Sequence, residues 1–310
     1  DGVEKDLEKA YGLYHLSGFM KHLCGDPLYT PAMMKVARAY ETGTHFKKDL
    51  KRAFSCFLTA AEHGNTEAMA KVGWSYSKGI GVKQDQTKAV DWYRKAADKG
   101  SASAQYNLAC KYDDGQGVKQ DKYEATKWYR KAAEQGKSNA QFCLGYNYYY
   151  GEGAKKDLQK AFKWYLASAK QGYVQAQYMV GEMYRAGEGT TKNYDHAKLW
   201  YTKAANQGHE KAQDELTYDK YFGFKKDKDS KTALKRLTQA AQKADKYAQF
   251  LLGSLYEKGK HVDAEGKLLL IERYNKAMDW YTKAHRNGHK AASKAGARVT
   301  KKSLKSYLGR

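Results

Sequence analysis

The chain has 310 residues, with 56 Lys and Arg against 34 Asp and Glu, a formal net charge of +22 with histidine neutral. It contains only two prolines, Pro27 and Pro31, which suits a chain built from helices, where an interior proline removes a hydrogen bond and clashes with the preceding turn. No run of about 18 apolar residues is present, so nothing in it has the length of a transmembrane helix.

In chain order, Asp1-Gly2-Val3-Glu4-Lys5-Asp6-Leu7 reads as the middle of a repeating unit whose first helix is missing. Asp6, Lys9-Ala10 and Tyr14 stand where the later units repeat the same residue types. The expectation is that the natural N-terminus lies upstream, so export and compartment stay open. An irregular insertion, Gly18–Gly25, completes a first segment of residues 1–28.

The first full unit is Tyr29–Gly64, with Ala32, Val36-Ala37, Tyr40, Asp49 and Ala60-Ala61 in register. Four regular copies of 36 residues follow: Asn65–Gly100, Ser101–Gly136, Lys137–Gly172 and Tyr173–Gly208. Self-similarity at a fixed period of this size marks stacked supersecondary units. Within Asn65–Gly100, Ala68, Val72, Gly73 and Tyr76 fall at helical spacing, as do Ala89, Trp92, Tyr93, Ala96 and Ala97. Between them Gly79-Ile80-Gly81 suits a turn in which glycine ends the first helix at positive φ. Asp85 is placed to cap the second helix. The small residues let helices approach, and Trp92 and Tyr93 fill the space between them. A single pair cannot bury such a face, so neighbours must stack.

The pattern weakens in His209–Ala244, where Arg236-Leu237 replaces Trp-Tyr and Phe224-Lys225-Lys226 fills the glycine loop. This unit is expected to be the least well packed, or to pack against something else. Asp245–Gly288 recovers the motif through Leu252-Gly253, Tyr256 and Trp280-Tyr281, with extra residues around His261–Ile271. The last segment, His289–Arg310, has seven Lys and Arg and no acidic side chain. It reads as one more first helix serving as a polar cap.

Ala140, Leu144-Gly145, Tyr148, Gly151-Glu152-Gly153, Asp157, Lys160-Ala161, Tyr165 and Gly172 resemble the Sel1-like repeat, a relative of the tetratricopeptide repeat. Ser168-Ala169 departs mildly from the Ala-Ala of that pattern. The resemblance covers nearly the whole chain. It implies an all-α, right-handed superhelical solenoid of about seven helix pairs, with 29–288 as the array and 289–310 as a basic capping helix. It also implies a bacterial adaptor or scaffold with no shared catalytic residues. The expected function is a non-enzymatic protein-interaction module, including one that neutralises its partner as an immunity protein does, or that binds a host protein. An enzyme acting on cell-wall material or β-lactams is the alternative.

The regular positions explain themselves as packing, so function is sought elsewhere. By analogy with related helical repeats, the first helices line the concave face. The positions set by their spacing form an aromatic stripe: Trp74, Tyr106, Phe142, Tyr146, Tyr149, Tyr150, Tyr178, Tyr218 and Tyr221. Tyrosine and tryptophan give large, rigid contact area and dominate binding hot spots, so this stripe is the expected partner site. The alternative use of each ring is packing between helices. Asp113-Asp114 would pair with a basic side chain of the partner.

Other signals carry less. The glycine loops lack a third glycine and a preceding strand, so they read as turns and not as phosphate cradles. His285 and His289 stand four apart, but Gly288 breaks the helix between them; His15, His22 and Cys24 show no zinc spacing. Neither a metal nor a cofactor is expected. Cys24, Cys56, Cys110 and Cys143 occupy different repeat positions and read as free thiols. Basic pairs such as Arg94-Lys95 and Arg130-Lys131 fall on second helices, the convex side of such an array. They either keep that face solvated or attract an acidic protein partner or an anionic envelope. Nucleic acid is not expected, for want of a recognised motif.

Overall fold

The structure is a computed structural model that describes residues 29–223, 230–259 and 270–308. The partial unit at 1–28 (with its insertion and Cys24), the Phe224-Lys225-Lys226 loop and most of the His261–Ile271 insertion lie outside the described residues. Among the described residues there are fifteen α-helices and no strand. They make the all-α solenoid that the period implies: seven helix pairs and a further helix.

The chain divides into two compact units, Asp1–Ser168 and Ala169–Arg310. The first holds α1 (Tyr29–Thr42), α2 (Leu50–Glu62), α3 (Thr66–Lys78), α4 (Gln86–Asp98), α5 (Ala102–Asp114), α6 (Lys122–Glu134), α7 (Ser138–Tyr150) and most of α8 (Leu158–Lys170). The second begins in the last turn of α8. It holds α9 (Val174–Ala186), α10 (Tyr194–Asn206), α11 (Glu210–Phe222), α12 (Ser230–Gln242), α13 (Lys246–Lys258), α14 (Leu270–Arg286) and α15 (Ala292–Leu308).

Helix ends follow local chemistry. Asn65 and Ser101 cap α3 and α5, and Asp49, Asp85 and Asp121 cap α2, α4 and α6, each accepting an N–H of the first turn. The Asp85 carboxylate accepts from the Lys88 amide at 3.0 Å. Gly79, Gly115 and Gly151 end first helices in the left-handed conformation. The second glycine of the loop answers a different need. Gly153 has φ +63°, and a Cβ there would run into the carbonyl oxygen of Lys122 at the start of α6.

Inside five of the seven pairs, a tyrosine of the second helix lies on the first, with Phe57 and Leu237 buried at that place in the other two. Tyr93, Tyr165, Tyr201 and Tyr281 are almost fully buried. Gly145 on α7 makes room: a Cβ there would sit 2.8 Å from Tyr165 Cδ1. Ala109 takes that place on α5, where Tyr129 is still buried and its hydroxyl donates to Cys110 Sγ at 3.4 Å. Ser168, the departure from Ala-Ala, is buried and donates to the Ser138 carbonyl at 2.7 Å.

Buried glutamines join one pair to the next. Gln105 and Gln141 donate to the carbonyls of Ala97 and Ala133, at the ends of the preceding second helices, at 3.2 and 3.1 Å. In the second unit Gln177 and Gln249 do the same to Ala169 and Ala241 at 3.3 and 2.9 Å. Each adds a side-chain donor to a carbonyl at a helix C-terminus that also accepts a backbone N–H from the following turn. Three cysteines, Cys56, Cys110 and Cys143, are free thiols.

The degenerate pair α11–α12 does bury a core, with α13. Tyr221 and Phe222 pack with Leu237, Leu251, Leu252 and Leu255, and Leu237 is fully buried where the regular units place tyrosine. At the end of the second unit α15 buries Ala295 and Val299 against Ala277 and Tyr281 of α14. Arg298 and Lys302 of α15 reach Glu257 of α13 at 2.6 and 2.9 Å, and the Tyr281 hydroxyl donates to the same carboxylate at 2.9 Å.

Candidate functional site

In the first unit, α7 carries the densest ring cluster. Tyr146 and Tyr150 lie 4.4 Å apart centre to centre, and Tyr149 meets Tyr150 edge-on at 4.8 Å. Tyr146 is 39% and Tyr150 53% exposed, although rings of this size usually lose most of their surface on folding. Beside them Lys122 bridges Asp113 at 2.7 Å and Glu152 at 3.5 Å.

The other first-unit rings divide their surface between packing and solvent. Tyr106 lies 5.8 Å from Tyr129, and Phe142 5.4 Å from Tyr165, so each braces the buried tyrosine of its own pair. Trp74 is half-buried with the Lys71 ammonium 5.2 Å from its ring, and Lys71 is paired with Glu41 at 2.9 Å. Burial pushes the Cys110 thiol up and the Cys143 thiol up to about 12, so both stay protonated at neutral pH.

In the second unit Tyr178 braces Tyr201 at 5.8 Å and stacks on His209 at 4.6 Å, and Tyr218 stacks on Phe222 at 5.2 Å. Tyr221 is buried, its ring in the core with Phe222. The first helices α9, α11 and α13 frame a cleft of about 770 Å³, walled by Tyr178, Tyr218 and Phe250. Lys192, Lys211 and Lys258 line it too.

Beside the cleft lies a charged network. Arg185 reaches Glu182 at 2.9 Å and Glu215 at 3.9 Å, and the Tyr201 hydroxyl donates to Glu182. Asp214 meets His289 at 3.0 Å, and His289 is fully buried and stacked on Phe250 at 4.0 Å. Burial raises the carboxyls of Asp214 and Glu215, against the pull of His289 and Arg185 respectively. The sequence reading passed over His289 because its spacing to His285 suggested only a metal pair. Gly288, at φ +82°, does separate the two histidines. The glutamine column was also missed, although each member directly follows the motif alanine in the sequence. Among the described residues no group of three or more His, Cys, Asp or Glu could hold a metal ion.

A model of the Sel1 repeat matches residues 1–18, 30–65, 66–101, 102–137, 138–173, 174–209 and 246–289. The chain belongs to the Sel1 repeat family. Sel1 repeats serve generally as non-catalytic scaffolds that bind other proteins. The gap in the match, 210–245, coincides with the degenerate pair α11–α12. Among solved structures, the chain is similar to a protective antigen of uropathogenic Escherichia coli strains with an SLR fold. The two share 27% identity over 98% of this chain and 69% of that one, at a TM-score of 0.70. It is also similar to a Sel1 repeat protein from Oxalobacter formigenes, at 28% identity over 87% of this chain and 76% of that one, with a TM-score of 0.57. An immunity protein from Pseudomonas aeruginosa matches at 26% identity over 64% of this chain and 71% of its own, with a TM-score of 0.39. No curated protein matches the chain. Among the described residues no helix is long and apolar enough to cross a membrane.

Proposed function

We propose that this Sel1 repeat chain is a non-enzymatic interaction module that holds a segment of a partner protein on its first helices. The observation that carries the reading is the Tyr146–Tyr149–Tyr150 cluster on α7. Two of its rings are exposed, side by side, at positions the helix-pair packing does not use. Tyr165 and Tyr129, which packing does use, are buried. Tyr106, Phe142 and Trp74 extend the same type of surface over α5, α7 and α3, with less of each ring available. Such a surface serves an adaptor if the bound partner stays active, and a neutralising protein if binding silences it.

The test is to pan a displayed random-peptide library on the purified chain and measure the selected peptides against variants. Tyr146→Ala and Tyr150→Ala should each weaken binding by about 1–3 kcal/mol, the range of an interface hot spot, with the melting temperature unchanged. If both variants bind normally while Lys95→Glu with Lys131→Glu abolishes binding, the second helices form the site and the proposal fails. Lysines are chosen for this control because Arg94 and Arg130 bond the hydroxyls of Tyr112 and Tyr148, at 2.6 and 2.9 Å. Reversing either arginine would break a bond between helices, whereas Lys95 and Lys131 are exposed and lie over the tryptophan of their own helix.

A further inference from the structure

We infer that the cleft of the second unit is a separate binding site, for an acidic peptide segment that carries aromatic or aliphatic side chains. The inference rests on the protein-binding reading but uses none of the α7 tyrosines, so the two can fail separately.

The cleft has the size of a ligand site, and its lining mixes aromatic rings with charged groups. Its volume of about 770 Å³ lies within the usual 300–1,000 Å³ or so of ligand pockets. Tyr178, Tyr218 and Phe250 offer ring surface from three successive first helices. The site lies where the repeat pattern lapses: α11, with Tyr218, belongs to the pair that the Sel1 pattern skips.

Charge decides the class of occupant. The two carboxylates of the cleft are already engaged, Asp214 with His289 and Glu215 with Arg185. Lys192, Lys211 and Lys258 are exposed, and none forms an ion pair with another described residue. Lys192 leans over the ring of Tyr194, its ammonium 5.0 Å from the centre, which leaves its three donors available. The uncommitted charge of the cleft is therefore positive, carried by three ammonium groups around an aromatic wall. A segment that alternates carboxylates with apolar side chains satisfies both. A basic segment would place like charges together.

The experiment uses two dye-labelled peptides of equal length, one alternating Glu with Phe and Leu, the other with Lys in place of every Glu. Binding is read by fluorescence polarisation on the full chain. The acidic peptide is expected to bind at least tenfold more tightly. Lys211→Glu with Lys258→Glu should weaken it by tenfold or more, and Tyr218→Ala should weaken it with the salt dependence retained. Lys131→Glu, on α6 of the first unit, should leave it within twofold. Equal binding of the two peptides overturns the inference. So does an equal loss from Lys131→Glu, which would mean general attraction to a basic chain. A single-stranded oligonucleotide that competes as well as the acidic peptide also overturns it, since the lysines would then be reading phosphate. If display-selected peptides still depend on Tyr146 and Tyr150 while the acidic peptide does not bind, the cleft inference fails and the proposed function stands.

Discussion

Gln141 is a polar side chain, 6% exposed, in a column that hydropathy alone would assign to core or surface with equal ease. Its amide donates to the Ala133 carbonyl, which also accepts from the Gly136 N–H at 2.9 Å, so Gln141→Leu removes a side-chain donor and leaves the backbone one in place. The expected cost is about 0.5–1.5 kcal/mol, the net worth of one hydrogen bond, read by chemical denaturation. The two glycine roles separate in the same assay. Gly145→Ala should be the milder change, because Ala109 occupies the corresponding place on α5 and Tyr129 packs there regardless. Gly153→Ala meets backbone, the Lys122 carbonyl, in a left-handed conformation that alanine disfavours, so it should cost more. Tyr129→Ala should cost about 3–5 kcal/mol as a buried ring lost from a packed site, against almost nothing for Tyr150→Ala. Caps, loop glycines and buried tyrosines were legible in the sequence because each job narrows the choice to a few residue types. The glutamines were not, since a polar residue beside a motif alanine looks like surface until its acceptor is seen.

At the scale of elements, the helix pairs were legible from the period alone, and the fastening of the last helix was not. Glu257 of α13 has a side chain 4% exposed, held by Arg298 and Lys302 of α15 and by Tyr281 of α14. Nothing in the local sequence of a Tyr-Glu-Lys helix end announces partners some forty residues away. Burial pushes the Glu257 carboxyl up, but the hydrogen bonds from Arg298, Lys302 and Tyr281 outweigh it and hold it at about 2. That is below its value in an unfolded chain, so the folded state releases the proton more readily. The stabilisation is therefore complete above about pH 4.5 and is lost as pH falls towards 2. Glu257→Gln should cost about 1–3 kcal/mol at neutral pH, towards the lower end because both cations are about half exposed and screened. Thermal melts of the two proteins should converge as the pH is taken from 6 to about 2. A gap that stays constant over that range would show that the carboxylate charge contributes nothing.

At the scale of the whole molecule, the excess of 56 basic over 34 acidic side chains has more than one use. Part of it is packing: the ammonium groups of Lys95, Lys131, Lys203 and Lys283 lie 4.0–4.4 Å from the ring centres of Trp92, Trp128, Trp200 and Trp280. A lysine three residues after each tryptophan covers the ring with its stem and keeps its charge in water. Those lysines are explained without a partner, as the solvated reading of the basic face requires. The rest of the charge still sets a field that a negatively charged partner would feel before contact. Exposed charges are screened beyond about 10 Å at 0.1 M salt and beyond about 30 Å at 0.01 M. Association with an acidic partner should therefore slow by about tenfold or more between roughly 0.01 M and 0.15 M salt, with dissociation changing much less. Stopped-flow mixing with the acidic peptide at several ionic strengths measures both rates. Lys131→Glu removes two units from the net charge without touching the cleft, so it should lower the association rate slightly and leave the dissociation rate alone. Lys258→Glu should raise the dissociation rate as well, because it also removes a contact. An association rate that does not respond to salt would confine the net charge to solubility and leave affinity to the rings.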